Sequence, residues 1–221
     1  MKKVRMFVIA CCVGLAMLFA TGTASMADQI VTGDTIYLTD GVGNTGGGIF
    51  NVFEFGKPDQ VSFQTFCLEK DEHLSLSNQW SIAKYQVSID TVAQLGGVNT
   101  NSGDPLDPKT AYLYYKFRTN SLAGFSGSEA DVNSLQLAIW YLENEITSLS
   151  DSKALAFIAA ATQANWNDIG RVRVMNLTSR SATGELVNNQ SLLTLVPEPS
   201  ILMLLGLGLV GLAGFARRRN S

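Results

Sequence analysis

The stretch SEADVNSLQLAIWYLENEI occupies residues 128–146 and predicts an amphipathic helix. Ser128 is a favoured N-cap residue, and Asp131 stands at the capping-box position, where Glu or Gln is more usual. Gln136, Ile139 and Trp140 share one face of this helix, because residues three and four apart lie on the same side. A glutamine on an apolar face needs hydrogen-bond partners or a covalent bond, since burying an unsatisfied amide is costly.

Two further helices are predicted, one on each side of this stretch. A proline directly after Asp107 is typical of a helix start and predicts a helix through residues 111–117. An alanine-rich helix is predicted to begin at Asp151 or Ser152. Together, the three helices form a predicted helical insertion at about residues 107–168.

Strands are predicted before and after the helices, where apolar and polar residues alternate with a period of two. The order strands, helices, strands is typical of the α+β class. We therefore expect a β-sandwich or barrel with an inserted helical subdomain over residues 28–195. The predicted strands lie at residues 30–31, 35–38, 49–55, 61–68, 85–89, 171–177 and 192–196.

Residues 1–27 are typical of a secretory signal peptide. Three basic residues precede an apolar run at residues 7–20, which is 14 residues long and short for a membrane span. Ser25 and Ala27 supply the small residues for cleavage before Asp28. An uncleaved anchor helix is the alternative interpretation.

The C-terminal residues 196–221 contain three parts in a fixed order. A short apolar segment near the lower limit for a membrane-spanning helix is preceded by two prolines and followed by basic residues. The basic residues favour a cytoplasmic C-terminus, which would place the preceding domain outside the inner membrane. The three parts are Pro197-Glu198-Pro199, the apolar residues 201–216 and Arg217-Arg218-Arg219.

This C-terminal pattern resembles the PEP-CTERM sorting signal of Gram-negative bacteria. The resemblance implies recognition by an exosortase, a transient membrane attachment through the C-terminal helix, and cleavage near the Pro-Glu-Pro sequence. The protein would then reach the cell surface or the extracellular matrix, where such proteins accompany exopolysaccharide. A plain tail anchor, the alternative, would also leave the domain outside the inner membrane.

Composition restricts the possible partners of the domain. The chain is 46% hydrophobic, 16% charged and has a net charge of −3, which argues against a mostly disordered chain. Both ends are basic, and without them 10 basic and 18 acidic residues remain, so that the middle carries −8. An acidic domain of this kind is not expected to bind nucleic acid. A single histidine, His73, excludes the usual multi-histidine zinc sites, and no cofactor is expected.

Cys67 is the cysteine that remains after removal of the signal peptide, because Cys11 and Cys12 lie in the first apolar run. It therefore has no partner for an intrachain disulfide. Its neighbours form the motif Phe66-Cys67-Leu68, and the helix carries the motif Leu135-Gln136-Leu137-Ala138-Ile139-Trp140.

These two motifs resemble those of the thioester domains of bacterial surface adhesins, although Leu135 stands where Thr is frequent in that family. The resemblance implies a covalent Cys67–Gln136 thioester, supported by the apolar residues Phe66, Leu68, Ile139 and Trp140. It also implies a β-sandwich with a helical insertion. Formation requires attack of a low-pKa thiol on the Gln136 carboxamide. The protein would capture an amine- or hydroxyl-bearing surface or matrix polymer once, as an adhesin and not as an enzyme.

Two other functions are consistent with the sequence. The protein could be a non-covalent structural component of the exopolysaccharide matrix, with Cys67 merely buried. It could also be a thiol hydrolase that uses Cys67 with His73, although no orienting Asn or Asp is evident. His73 is expected to be a solvated residue, and Glu143 is a weak candidate for orienting a nucleophile.

A glycine-rich segment matches the pattern G-x-G-x-x-G at Gly41, Gly43 and Gly46. A dinucleotide site requires a helix directly after this pattern, whereas here a strand is predicted at residues 49–55. We therefore expect a flexible hairpin loop.

Overall fold

The computed structural model describes residues 28, 30–44, 46–57, 60–77, 82–94, 103–197 and 208. The predicted signal peptide at residues 1–27 lies outside these residues, as does the predicted membrane helix at residues 201–216 apart from residue 208. Within the described residues, none of the helices combines the length and the apolar character needed to cross a membrane.

A six-stranded antiparallel sheet is the main element of the fold, in the order β3-β2-β1-β4-β7-β8. Two short strands, β5 and β6, pair with each other in a separate ribbon. The strands are β1 Thr35–Asp40, β2 Phe50–Glu54, β3 Phe63–Thr65, β4 Tyr85–Asp90, β5 Val92–Ala93, β6 Asp104–Pro105, β7 Val172–Arg180 and β8 Leu186–Leu195.

The two edges of this sheet meet directly after β3. Cys67 forms an antiparallel bridge with Leu192 of β8, and the Leu68 N–H donates to the Ser191 carbonyl oxygen at 3.1 Å. The chain therefore closes the sheet at this seam. Of the two predicted architectures, the described residues thus form a closed, barrel-like sheet and not two stacked sheets.

The inside of the closed sheet is one apolar core, which we call the barrel core. Each of the six strands contributes to it, and the side chains alternate along each strand, as the period of two requires. The inward-facing strand residues are Ile36, Leu38, Phe50, Val52, Phe63, Tyr85, Val87, Met175, Leu177 and Leu192.

Three helices lie in succession between β6 and β7, as the sequence predicts: α1 Pro108–Arg118, α2 Glu129–Leu142 and α3 Ser152–Ala164. The predicted N-caps are confirmed at all three helices. Asp107 accepts the Lys109 N–H at α1, Ser128 accepts the Asp131 N–H at α2, and Asp151 accepts the Ala154 N–H at α3.

Helix α2 differs from its prediction at both ends. Asp131 does not reach back as in a capping box, because its carboxylate accepts bonds from the Ser126 N–H and hydroxyl, both at 2.6 Å, and pairs with Lys153. The helix also ends at Leu142, four residues earlier than predicted. Asn144 has a φ of 62°, a left-handed conformation that cannot continue the helix.

A second apolar core, the helix core, lies between the three helices and the outer face of β7 and β8. Val172 and Val174 of β7 and Leu193 and Leu195 of β8 belong to it. Helix α2 contributes to both cores, since residues such as Ile139 pack in the helix core whereas Trp140 packs in the barrel core.

Two strand predictions are wrong. Residues 30–31 form no strand because Asp34 accepts the Val31 N–H at 2.8 Å and closes a turn. Leu186 begins β8 six residues before the predicted start, in a polar stretch that pairs with β7.

Candidate functional site

Cys67 and Gln136, predicted from the sequence as a pair, lie side by side. They are 69 positions apart in the chain, yet the Cys67 N–H donates to Gln136 Oε1 at 3.3 Å. The Gln136 Nε2 in turn donates to the Cys67 carbonyl oxygen at 2.9 Å. Both residues are fully buried. The seam between β3 and β8 holds the cysteine, and α2 brings the glutamine against it.

The Gln136 carbonyl oxygen accepts a second backbone hydrogen bond, from the Gly48 N–H at 3.0 Å. Two N–H groups therefore converge on this one oxygen. Such an arrangement stabilises negative charge that develops on the oxygen when a nucleophile attacks the carbonyl carbon. The same bonds also satisfy the buried amide of an unreacted glutamine. They therefore explain the burial of Gln136 whether or not it is bonded covalently to Cys67.

The glycine-rich segment leads into β2 and not into a helix, in agreement with its rejection as a dinucleotide site. Gly47 packs directly on the glutamine, because a Cβ atom at this position would lie 3.0 Å from Gln136 Oε1 and 2.8 Å from Trp140 Cζ2. Only glycine leaves space for both neighbours. This contact was not predicted from the sequence, because it joins segments that are far apart in the chain.

Asn44 fixes the same segment to helix α2. Its N–H donates to Asn133 Oδ1 at 2.9 Å, and Asn133 Nδ2 donates back to Asn44 Oδ1 at 2.7 Å. The Asn44 side chain also donates to Glu129. These bonds hold the glycine segment against the helix that carries Gln136.

The four predicted supporting residues surround the pair and are all buried. Phe66, Leu68 and Ile139 belong to the helix core, whereas Trp140 packs with Cys67 in the barrel core. They exclude water from the site. The Trp140 Nε1 is buried and has no hydrogen-bond partner among the described residues.

The environment of Cys67 does not favour a thiolate. Burial raises the pKa of the Cys67 thiol well above its usual value, and the nearby Glu69 carboxylate raises it further. The sequence-based expectation of a low-pKa thiol is therefore wrong for the free cysteine. Attack on Gln136 requires that the thiol proton be removed as the bond forms.

Glu69 is buried, although it begins the charged segment EKDEH at residues 69–73. Burial raises its pKa to about 8, while hydrogen bonds from Ser191 act in the opposite direction. The burial of Glu69 was not predicted from the sequence. The signal that could have found it is the alternation of the preceding strand, which places Glu69 on the same side as Cys67.

Neither of the two weaker candidates is hydrogen-bonded to Cys67 or Gln136 in the described part of the chain. His73 is exposed, and its charge acts on Glu72, so it does not form the cysteine–histidine arrangement of a thiol hydrolase. Glu143 is buried and accepts the Asp107 N–H at 3.3 Å, at the start of α1. This bond joins the end of α2 to the start of α1.

Comparison with known proteins identifies one feature of the chain. The PEP-CTERM protein-sorting motif matches residues 195–219, a range that includes Pro197, Glu198 and Pro199 and the arginine cluster. All of these except Pro197 lie outside the described residues. No curated protein and no solved structure matches the chain.

The sorting motif indicates how the protein is sorted. It implies an exported protein that an exosortase processes and that travels through the membrane to the cell surface of a Gram-negative bacterium. The motif thus implies that the domain with the Cys67–Gln136 pair reaches the cell surface.

Proposed function

We propose that Cys67 and Gln136 form an internal thioester, through which this exported protein captures a partner covalently. The observation that carries the proposal is the convergence of the Cys67 and Gly48 N–H groups on Gln136 Oε1. The resemblance of both motifs to adhesin thioester domains supports it independently.

Formation of the thioester follows from the hydrogen bonds around the pair. The Cys67 sulfur attacks Cδ of Gln136, and negative charge develops on Oε1, where the two N–H groups stabilise it. The Cδ–Nε2 bond then breaks, and ammonia leaves with a proton that originates from the thiol. The fold holds the two groups next to each other, which removes most of the entropic barrier to such a reaction.

Capture of a partner takes place at the same carbon, but here the partner's nucleophile displaces the thiol. An amine of the partner attacks Cδ and forms an amide, or a hydroxyl forms an ester, and Cys67 leaves as a free thiol. Each molecule reacts once, as expected of an adhesin and not of an enzyme. Burial of the pair slows competing hydrolysis because water is excluded. The partner class is a nucleophile-bearing surface or matrix polymer.

Methylamine provides the test of this function. Incubation of the native protein should place one methylamide on Gln136 and release the Cys67 thiol, both detectable by peptide mass spectrometry. Cys67→Ala is the matched control and should acquire no adduct. An unmodified Gln136 in the treated native protein would favour the non-covalent structural role in the matrix.

Gly47→Ala should abolish the thioester in most molecules. The added methyl group would crowd the Gln136 oxygen and the Trp140 ring, so that the Gln136 side chain would be displaced from its position against Cys67. The retained amide would be measured as the absence of ammonia loss in the intact mass.

Gly46→Ala is the control for this substitution. A Cβ atom there meets nothing within 4 Å, although its φ of +83° makes any side chain strained. We expect Gly46→Ala to retain the thioester. Loss of the bond in Gly46→Ala but not in Gly47→Ala would show that loop strain, and not contact with Gln136, is decisive.

A further inference from the structure

Glu69 is a buried carboxyl group whose two oxygens differ in their hydrogen bonding to the described residues. Its Oε2 accepts the Ser191 N–H at 2.8 Å, and its backbone carbonyl accepts Gln190 Nε2 at 2.5 Å. The residue is only 2% exposed. Its Oε1 is buried and has no hydrogen-bond partner within the described part of the chain. A carboxyl oxygen left unsatisfied in this way is costly and calls for a function.

The seam between β3 and β8 places Glu69 next to the reacting pair. Cys67 is bridged to Leu192, and Glu69 binds Ser191, the adjacent residue of β8. After burial itself, the Glu69 carboxylate is the second cause of the raised pKa of the Cys67 thiol.

The other charged groups near Glu69 come from the segment that follows it, where Lys70 pairs with Asp71, and from the end of α2, where Glu145 accepts the Lys70 N–H at 2.9 Å. Glu72 acts on Glu69, and Glu145 and His73 act on Glu72. From β8, the contacting residues Ser191 and Gln190 carry no charge. Glu69 is therefore an acid–base group two residues from Cys67 that contacts the same strand of the seam, and its carboxylate is the charged group that acts on the thiol.

We propose that Glu69 is the proton carrier in thioester formation, an inference that rests on the proposed function. The Glu69 carboxylate takes the proton of the Cys67 thiol while the sulfur forms its bond to Cδ of Gln136. The protonated carboxyl then returns this proton to Nε2 as the Cδ–Nε2 bond breaks. Ammonia leaves, the carboxylate is regenerated, and no other reactant is consumed.

The chemistry of the pair requires such a carrier. A buried thiol is not ionised at neutral pH, and an amide nitrogen leaves as ammonia only after it has gained a proton. A group that both accepts and donates the proton works best when its pKa lies near the working pH. Burial brings the pKa of Glu69 to about 8, within that range.

The test follows thioester formation during refolding. The full-length chain is prepared unfolded, with the Gln136 amide intact, and is diluted from denaturant into buffers of different pH. Acid-quenched samples are digested, and the loss of ammonia is measured on the linked peptides. In the natural protein the rate should rise with pH and level off above about 8, because only ionised Glu69 accepts the proton.

Glu69→Gln should slow formation by about 10²–10⁴-fold and remove the levelling-off. The amide oxygen of this variant can still accept the Ser191 N–H. Glu72→Gln, which removes a neighbouring carboxylate, should keep the natural rate to within a few-fold.

The outcomes separate this inference from the proposed function. If the natural chain loses no ammonia at any pH, the thioester itself is wrong. If it does, but Glu69→Gln forms the bond at the natural rate and with the natural pH profile, the role of Glu69 is wrong. If Glu69→Gln does not fold, the natural protein alone still tests the inference. A rate of thioester formation that rises tenfold per pH unit without levelling off would overturn it.

Discussion

Replacement of Asp28 with alanine is expected to lower the free energy of unfolding by about 3–5 kcal/mol. Asp28 forms a bidentate ion pair with Arg118, with distances of 2.9 Å from Nη1 to Oδ2 and 2.7 Å from Nη2 to Oδ1. The side chains of Arg118 and Asp28 are 12% and 2% exposed, respectively. Removal of the carboxylate would leave the guanidinium charge buried without its partner.

Asp28 also connects the beginning of the domain to its last strand. Its Oδ2 accepts the Thr194 hydroxyl and the Leu195 N–H, both at 2.8 Å, and its own N–H donates to the Leu195 carbonyl at 2.7 Å. These bonds stabilise the end of β8, just before the sorting motif. The substitution should therefore loosen this strand end as well as the ion pair.

Urea unfolding would measure this effect, and Lys57→Ala is the control. Lys57 pairs with Glu54 on the surface, where such a pair contributes less than about 1 kcal/mol. Equal midpoints for Asp28→Ala and Lys57→Ala would show that the buried ion pair does not support the fold.

Opening of the thioester is expected to lower the free energy of unfolding by about 4 kcal/mol. The bond would link residues 69 positions apart, and a cross-link of this length restricts the unfolded chain about as much as a disulfide would. The natural protein should therefore unfold at a lower urea concentration after methylamine treatment than before it.

The control for this second prediction is Cys67→Ala, which has no thioester to open. Its unfolding midpoint should be low from the start and should not change with methylamine. A treated natural protein that unfolds at its original midpoint, despite a complete adduct on Gln136, would contradict the stabilising role of the bond.

The sequence was sufficient where local patterns decide the structure. The caps Asp107, Ser128 and Asp151 each lie next to the helix that they begin, so spacing alone located all three helices. The Cys67–Gln136 pair was predicted through two short motifs, although the hydrogen bonds between the two residues depend on the whole fold.

The sequence was insufficient where distant segments meet. Asp131 was expected to cap α2, but the carboxylate pairs with Lys153 of α3, which holds the pKa of Asp131 well below its usual range. Closure of the sheet depends on pairing across more than 120 residues between β3 and β8, which no local pattern reveals. Glu69 lies at this seam, and its burial could not be predicted without knowledge of the pairing between β3 and β8.

The intact mass of freshly folded protein shows whether Cys67 and Gln136 are covalently joined. We predict a mass lower than that of the processed sequence by one ammonia, with no free thiol at Cys67 after denaturation. A glutamate side chain at position 136 would mark a thioester that formed and was then hydrolysed. The full sequence mass, with an unmodified Gln136 amide and a free Cys67 thiol, would contradict the account.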